Sequence, residues 1–242
     1  MNILLKIQYD GTDFFGSQIQ PLGRTVQGEL ETALSSLMSE KISTVFSGRT
    51  DSGVHAHEQS VNFHVSSPMI PPDKIYHPLN RLLPYDIYAI SSELSDDDFN
   101  ARFNAKSRTY RYFLRENHDL FRKKYSLLYP FDIDIDKMND TAKLFIGKKD
   151  FQSFCSSHAE VNNYICHISD LHFFRHDDEI VMEISSDRFL QNMVRIIASV
   201  FLELNSNKIK KEDILDIFEK KDRRYSPKTI SPSGLFLWKV EY

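Results

Sequence analysis

The segment 48–56 constrains the fold more than any other stretch, because it joins two predicted strands through a short connection rich in small residues. Strand patterns lie on both sides of it, over residues 41–47 and 59–65. A connection of this length needs no helical crossover between the two strands. The same turn also places a carboxylate, Asp51, two residues from a cation, Arg49.

The rest of the chain alternates between strand and helix patterns. Strands are predicted over residues 3–9, 87–90, 109–115 and 235–242, and a hairpin is predicted over 168–174 and 180–185. Helical spacing predicts helices over 26–37 after an N-cap at Thr25, and over 75–83, 138–146, 189–204 and 211–219. Strands that follow one another without a helix favour an α+β fold. We predict two sheet-plus-helix halves, residues 1–104 and 105–242.

Composition sets the class of protein. The 242 residues are 41% hydrophobic and 26% charged, which is typical of a folded globular protein. Two cysteines, Cys155 and Cys166, form neither a disulfide framework nor a zinc signature and indicate reduced thiols. The first apolar run is too short for a signal peptide, and no window is long enough to span a bilayer. We therefore expect a cytoplasmic protein that does not enter the membrane.

The net charge of −4 taken alone argues mildly against a nucleic-acid partner, because binding phosphate requires lysine and arginine. The charges are not evenly spread, however. Basic residues concentrate over 102–111, 122–124 and 220–224, and acidic residues over 96–98, 132–136 and 177–179. A basic face can therefore coexist with a net acidic total.

Asp51 is the first candidate for chemistry. A carboxylate there can serve as a nucleophile, a general base or a metal ligand, or can simply form a turn with Gly53. Arg49 would favour the ionised carboxylate. His55 and His57, two apart on a predicted strand, point the same way and with Asp51 would complete a metal site. These interpretations stay open on the residues alone.

Two further features point to an RNA partner and to a buried charge. Tyr110 and Tyr112 lie among basic residues, a pattern that suits stacking on nucleobases beside phosphate contacts, or one aromatic face in the core. Arg195 lies inside a strongly apolar helical run, where a buried cation requires a partner, unless it faces solvent. Asp51 is an attractive partner for it.

Taken together, these segments resemble the tRNA pseudouridine synthase A family along nearly the whole chain. The order of the motifs carries the resemblance more than any one of them does. They are Tyr9-Asp10-Gly11-Thr12 with Phe15-Gly16 and Gln18-x-Gln20, the segments 25–31 and 48–56, Arg102-Phe103-Asn104-Ala105, Arg108-Thr109-Tyr110-Arg111-Tyr112, Asp150-Phe151-x-Ser153-Phe154, the segment 189–195, and Gly234-Leu235-Phe236-Leu237.

The resemblance implies the pseudouridine synthase fold, with two α/β halves whose mainly antiparallel sheets adjoin around a central cleft. It implies an isomerase that converts uridine to pseudouridine in the tRNA anticodon stem-loop, at tRNA positions 38 to 40. Such an enzyme binds RNA, acts on a base flipped out of its stack, needs no metal or organic cofactor, and is expected to be a homodimer.

The resemblance also assigns the site residues. Asp51 matches the catalytic nucleophile, which would attack the ribose C1′ or the base C6, and Arg49 and Arg195 are its flanking cations. Tyr110 matches the tyrosine that stacks on the target base. The remaining substrate-binding residues implied are Arg102, Arg108, His55 and Phe189.

The chain departs from the family pattern at three places, of which the first two bear on substrate choice more than on the reaction. Ser17 stands where the family usually has tryptophan, Ser186-Asp187-Arg188 replaces a small, glycine-rich approach to Phe189, and Ser199 replaces a common glycine. Two alternatives remain: a tRNA-binding protein or chaperone without catalysis, and a metal-dependent hydrolase that uses Asp51, His55 and His57.

Overall fold

A computed structural model of the chain describes residues 1–67, 69–159 and 161–242. These residues divide into two compact units, residues 1–106 with 236–242, and residues 107–235. The predicted division was 1–104 and 105–242, so the first break lies within two residues of it, whereas the last strand belongs to the first unit. Helices and largely antiparallel strands are mixed in both units, which confirms the α+β class.

The strands and α-helices of the described residues follow in chain order. The strands are β1 (Asn2–Tyr9), β2 (Thr44–Phe46), β3 (His55–His64), β4 (Ile87–Ser95), β5 (Ser107–Arg115), β6 (Leu127–Leu128), β7 (Gly147–Asp150), β8 (Ile165–His176), β9 (Glu179–Ser186) and β10 (Leu235–Glu241). The helices are α1 (Val26–Met38), α2 (Tyr76–Leu79), α3 (Ile135–Ala142), α4 (Met193–Asn205) and α5 (Lys211–Lys220).

The sheet of the first unit is built around β1 and β3. β1 pairs antiparallel with β3 and β4, and β2 pairs antiparallel with β3. β10 runs parallel to β3, with Phe236 opposite His55 and Leu237 opposite Ala56. Helix α1 begins at the predicted cap Thr25, whose Oγ1 accepts the N–H of Gly28 at 3.2 Å. The strands predicted on either side of the segment 48–56 are therefore β2 and β3.

The second unit has a sheet in the order β5-β9-β8-β7, with every neighbouring pair antiparallel and β6 parallel to β5. The predicted hairpin is β8 and β9. Helix α4 is buried along almost its whole length, and its Phe201 ring packs 4.8 Å from Phe173 and 5.3 Å from Phe145. This aromatic cluster fixes the helix against the sheet.

Three helices differ from their predicted bounds. α3 spans Ile135–Ala142 and not 138–146, because Asp134 Oδ1 caps it by accepting the N–H of Lys137 at 2.9 Å. α2 ends at Leu79, and the Asn80 side chain that follows pairs with both backbone groups of Ala89 at 2.7 and 2.9 Å. α4 begins at Met193 and not at residue 189, because Asn192 is left-handed, with a φ of 63°. None of the helices in the described ranges has the length and apolarity to cross a membrane.

Candidate active site

Asp51 lies in the connection between β2 and β3, with its side chain partly exposed. The N–H of Val54 donates to the carbonyl of Asp51 at 3.1 Å and closes a tight turn. Gly53 completes this turn with a φ of 76°, a conformation that glycine adopts at little cost. The turn-forming and the chemical interpretations of this segment are therefore compatible, since the turn presents the carboxylate at the surface of the unit.

Thr50, directly before Asp51, is anchored by three hydrogen bonds. Its N–H donates to Ser17 Oγ at 2.8 Å, and its carbonyl accepts the N–H of Ser17 at 3.1 Å. Its hydroxyl pairs with the Tyr9 hydroxyl at 2.8 Å. Ser17 and Thr50 are only 1% and 6% exposed, and burial raises the pKa of Tyr9 to about 12. Buried contacts inside the first unit therefore fix the backbone that carries Asp51. The sequence analysis did not predict this role for Ser17.

The segment 10–17 packs along the other side of the turn. Ser52 Oγ donates to the carbonyl of Phe14 at 3.0 Å. A Cβ atom on Gly11 would lie 1.9 Å from the carbonyl oxygen of Val54, so only glycine permits this approach. The Tyr9-Asp10-Gly11-Thr12 motif therefore shapes the Asp51 turn, although 38 or more residues separate the partners in sequence.

His55 is buried at the start of β3 rather than exposed to a ligand. It is 1% exposed, and its Nδ1 lies 3.1 Å from both the Gly11 N and Asp10 Oδ1. Its ring stacks on Phe236 with 4.6 Å between centroids. An unprotonated Nδ1 accepts from Gly11, whereas a protonated one donates to Asp10. These contacts agree with a structural role for His55 beside the turn.

The metal site proposed as an alternative is not formed. Within the ranges that the structure describes, Asp51, His55 and His57 do not gather their ligand atoms into a cluster. His57 instead stacks on Trp238, with 4.0 Å between centroids and 16° between planes. The rings of His55 and His57 on β3 therefore pack against Phe236 and Trp238 on β10.

The cations predicted in the first unit lie at its surface. Arg49 is exposed. Arg102 is exposed as well, with its guanidinium carbon 5.6 Å from the ring centroid of Phe103. Both side chains can reach an approaching anion, and their assigned roles stay predictions.

In the second unit, the structure brings Tyr110 and Phe189 together. Tyr110 is on β5, and its ring meets that of Phe189 edge to face, with 5.0 Å between centroids. Tyr110 is 8% exposed, so most of its ring is packed and oriented. The two aromatic residues that the sequence analysis assigned to the substrate therefore form one pair.

The predicted arginines of the second unit are held by neutral groups. Arg108 Nη1 donates to the carbonyl of Asp187 at 2.7 Å. Arg195 Nε donates to the carbonyl of Ile230 at 2.8 Å, and its Nη1 donates to Asn192 Oδ1 at 2.8 Å. These hydrogen bonds orient both guanidinium groups within the second unit.

Comparison with known proteins gives a consistent result. Residues 6–104 and 141–242 match the family model described as tRNA pseudouridine synthase. The chain is similar to proteins named tRNA pseudouridine synthase A from three bacteria. The identities are 40% over 243 residues in Caldicellulosiruptor bescii, 41% over 247 residues in Bacillus subtilis and 38% over 241 residues in Listeria monocytogenes. These alignments cover 98–100% of this chain and 97–99% of the relatives.

Proposed function

This chain belongs to the tRNA pseudouridine synthase family, and we propose that it isomerises uridine to pseudouridine in the tRNA anticodon stem-loop, at positions 38 to 40. The family membership makes it an isomerase. The choice of tRNA arm and the roles of individual residues are the proposal.

In the proposed reaction the Asp51 carboxylate attacks the target nucleoside at the ribose C1′ or the base C6. The bond between N1 and C1′ breaks, the uracil rotates, and a bond forms between C5 and C1′. The bond that Asp51 formed to the nucleoside then breaks, which restores the free carboxylate. The proton lost from C5 is balanced by the one that N1 gains, so no atom enters or leaves overall. Side chains of this chain supply the nucleophile and the base stacking, and no cofactor is called for.

The rigid setting of Asp51 supports this role more than any other observation. The Thr50 backbone is locked to Ser17 on one side, and the Val54 N–H closes the turn on the other. The carboxylate between them remains partly exposed. Fixing the backbone on both sides of a reacting group avoids the cost of ordering it in the transition state.

Tyr110 and Phe189 are proposed to receive the flipped base. A tyrosine whose ring is held edge to face by a second aromatic offers a preset stacking surface. Arg108 and Arg195 are proposed, from the family resemblance, to stabilise the phosphates and the ionised nucleophile. Arg49 and Arg102 complete the proposed set, whereas the buried His55 is proposed to support the Asp51 turn and not to touch the substrate.

The oligomeric state and the cellular location of the protein are also part of the proposal. A homodimer in the cytoplasm, where tRNA is modified, is proposed from the family resemblance. Light scattering of the purified protein at several concentrations tests the oligomeric state.

Site mapping tests the function directly. The purified protein is incubated with unmodified tRNA transcripts, and pseudouridine is mapped at each uridine. Product at positions 38 to 40 is expected. Product confined to another arm would overturn the assignment of the anticodon stem-loop, and tight tRNA binding without any product would favour the non-catalytic tRNA-binding protein instead.

A further inference from the structure

The segment 15–24 forms a closed loop on the surface of the first unit. The Phe15 N–H donates to the carbonyl of Arg24 at 2.9 Å, so a hydrogen bond joins the two ends of the loop. The side-chain amide of Gln20 donates to the carbonyl of Phe15. The backbone of Phe15 is therefore held on both its N–H and its carbonyl side.

Both sequence neighbours of Phe15 touch the turn that carries Asp51. The carbonyl of Phe14 accepts the hydroxyl of Ser52 at 3.0 Å. A Cβ atom on Gly16 would lie 3.5 Å from the carbonyl carbon of Asp51. Phe15 is thus one residue away from two contacts with the turn of the proposed nucleophile.

The Phe15 ring is oriented by backbone on one side and open to solvent elsewhere. Phe15 is 58% exposed, although it is a large apolar residue. A Cβ atom on Gly23 would lie 2.5 Å from the ring carbons Cγ and Cδ2 and 3.0 Å from Cδ1, so the ring lies directly against the Gly23 backbone. The ring is therefore preset, and a partner would not have to order it on binding.

The exposed surface around Phe15 carries no charge. The segment 15–24 contains no carboxylate, and its one cation, Arg24, is bonded to the Asp86 carboxylate at 2.6 and 2.9 Å and to Glu29 at 2.6 Å. The exposed residues beside the ring are Gln18, Ile19, Gln20 and Leu22. An aromatic ring with apolar and amide groups around it suits the face and the edges of a nucleobase, whereas a phosphate requires cations.

We infer that Phe15 stacks on a nucleobase of the RNA that neighbours the target uridine. When the target base leaves its stack, the adjacent base loses a stacking partner. An exposed, preset ring beside the nucleophile replaces that partner and holds the strand open at the target. The inference rests on the proposed function for the identity of the RNA.

The test measures the affinity of a tRNA anticodon stem-loop at several salt concentrations for the wild type, Phe15→Ala, Phe15→Leu, Phe15→Tyr and the control Phe131→Ala. Phe131 is 60% exposed and so matches Phe15 in residue type and exposure. The carbonyl of the next residue, Asp132, accepts the amide of Asn205 at 2.9 Å at the C-terminal end of the 13-residue α4. This end lies about 20 Å, at 1.5 Å per residue, from the end that follows Phe189.

Phe15→Ala is expected to weaken binding about tenfold at every salt concentration, because one stacked base is lost. Its salt slope should equal that of the wild type, since stacking releases no counterions. Phe15→Tyr should retain the affinity, Phe15→Leu should lose most of it with the ring, and Phe131→Ala should match the wild type. Wild-type affinity in Phe15→Ala or Phe15→Leu, or a lower salt slope in Phe15→Ala, would overturn the inference.

Stem-loops with a single abasic nucleotide on either side of the target uridine identify the stacked base. At one of the two positions, the missing base should weaken binding of the wild type about tenfold and have no further effect on Phe15→Ala. Additive losses at both positions would refute the contact. An unchanged wild-type affinity at both positions would refute it too, and that measurement requires no variant to fold.

A second copy of the chain is the other occupant that the apolar ring could receive. A lower mass of Phe15→Ala than of the wild type in light scattering would point to that copy and overturn the inference. The two proposals fail separately. A wild type that shows the abasic effect but forms no product refutes only the proposed reaction, whereas product at positions 38 to 40 without the abasic effect refutes only the role of Phe15.

Discussion

Ser17 and Thr50 exchange two hydrogen bonds across 33 residues of sequence, with the Thr50 N–H on Ser17 Oγ at 2.8 Å and the Ser17 N–H on the Thr50 carbonyl at 3.1 Å. The bond from Thr50 is buried, and Asp51 is the next residue. Ser17 is therefore part of the support for the proposed nucleophile.

The Ser17→Ala variant should lose about 1 to 3 kcal/mol of unfolding free energy, because the buried Thr50 N–H would be left without its acceptor. Its turnover should also fall, since the turn that carries Asp51 loosens. Urea denaturation and single-turnover rates measure the two effects. Ser36→Ala, at an exposed position of α1, is the control and should be as stable as the wild type. A Ser17→Ala protein with wild-type stability would contradict the prediction.

Asp51→Asn keeps the shape of the side chain but removes the nucleophile. The single-turnover rate on tRNA is expected to drop by at least about a thousandfold, whereas tRNA affinity and thermal stability should change little. Asp13→Asn alters a nearby exposed carboxylate and should retain full activity. Activity of Asp51→Asn within tenfold of the wild type would exclude Asp51 as the nucleophile.

Two glycines give a matched test of the backbone around the turn. Gly11→Ala should destabilise the protein by about 3 kcal/mol, because its new Cβ would lie 1.9 Å from the Val54 carbonyl oxygen. Gly48→Ala should be neutral or slightly stabilising, because no atom lies within 4 Å of its new Cβ. Thermal denaturation measures both, and similar melting temperatures for the two variants would refute the packing described for segment 10–17.

The stability should fall at high pH through Tyr9. Burial raises its pKa from an ordinary value of 10 to about 12, so the unfolded chain loses this proton first and alkali favours unfolding. The contribution of the protonated Tyr9 to the free energy of unfolding is fully present below pH 10. It is lost as the pH rises toward 12, which lowers the free energy of unfolding by up to about 3 kcal/mol. Tyr9→Phe should show a weaker decline, measured by urea denaturation across this range.

Tyr85, 93% exposed, provides the control for this titration. Tyr85→Phe should leave the pH dependence unchanged, because folding does not bury this side chain. Burial also raises the pKa of Tyr112, so Tyr9→Phe is expected to keep part of the decline. An identical decline in Tyr9→Phe and the wild type would refute the assignment to Tyr9.

Much of the local structure could be predicted because short-range patterns determine it. The cap at Thr25, the strand alternation of β1 and the hairpin of β8 and β9 all follow from residues a few positions apart. The predicted bounds were wrong where the backbone conformation of one residue decided them, as at Asn192, whose φ of 63° places the start of α4 at Met193. Spacing along the chain does not reveal such a conformation.

The sequence by itself determined the family and the identity of Asp51 as the candidate nucleophile, because the motifs and their order can be recognised directly in the residues. Only the tertiary structure decided that Ser17 supports Thr50, that His55 and His57 stack on Phe236 and Trp238, and that the last strand joins the first unit. The physical reason is that these contacts join residues far apart in the chain. Their formation depends on complementary shape and buried hydrogen bonds, which spacing along the chain does not encode.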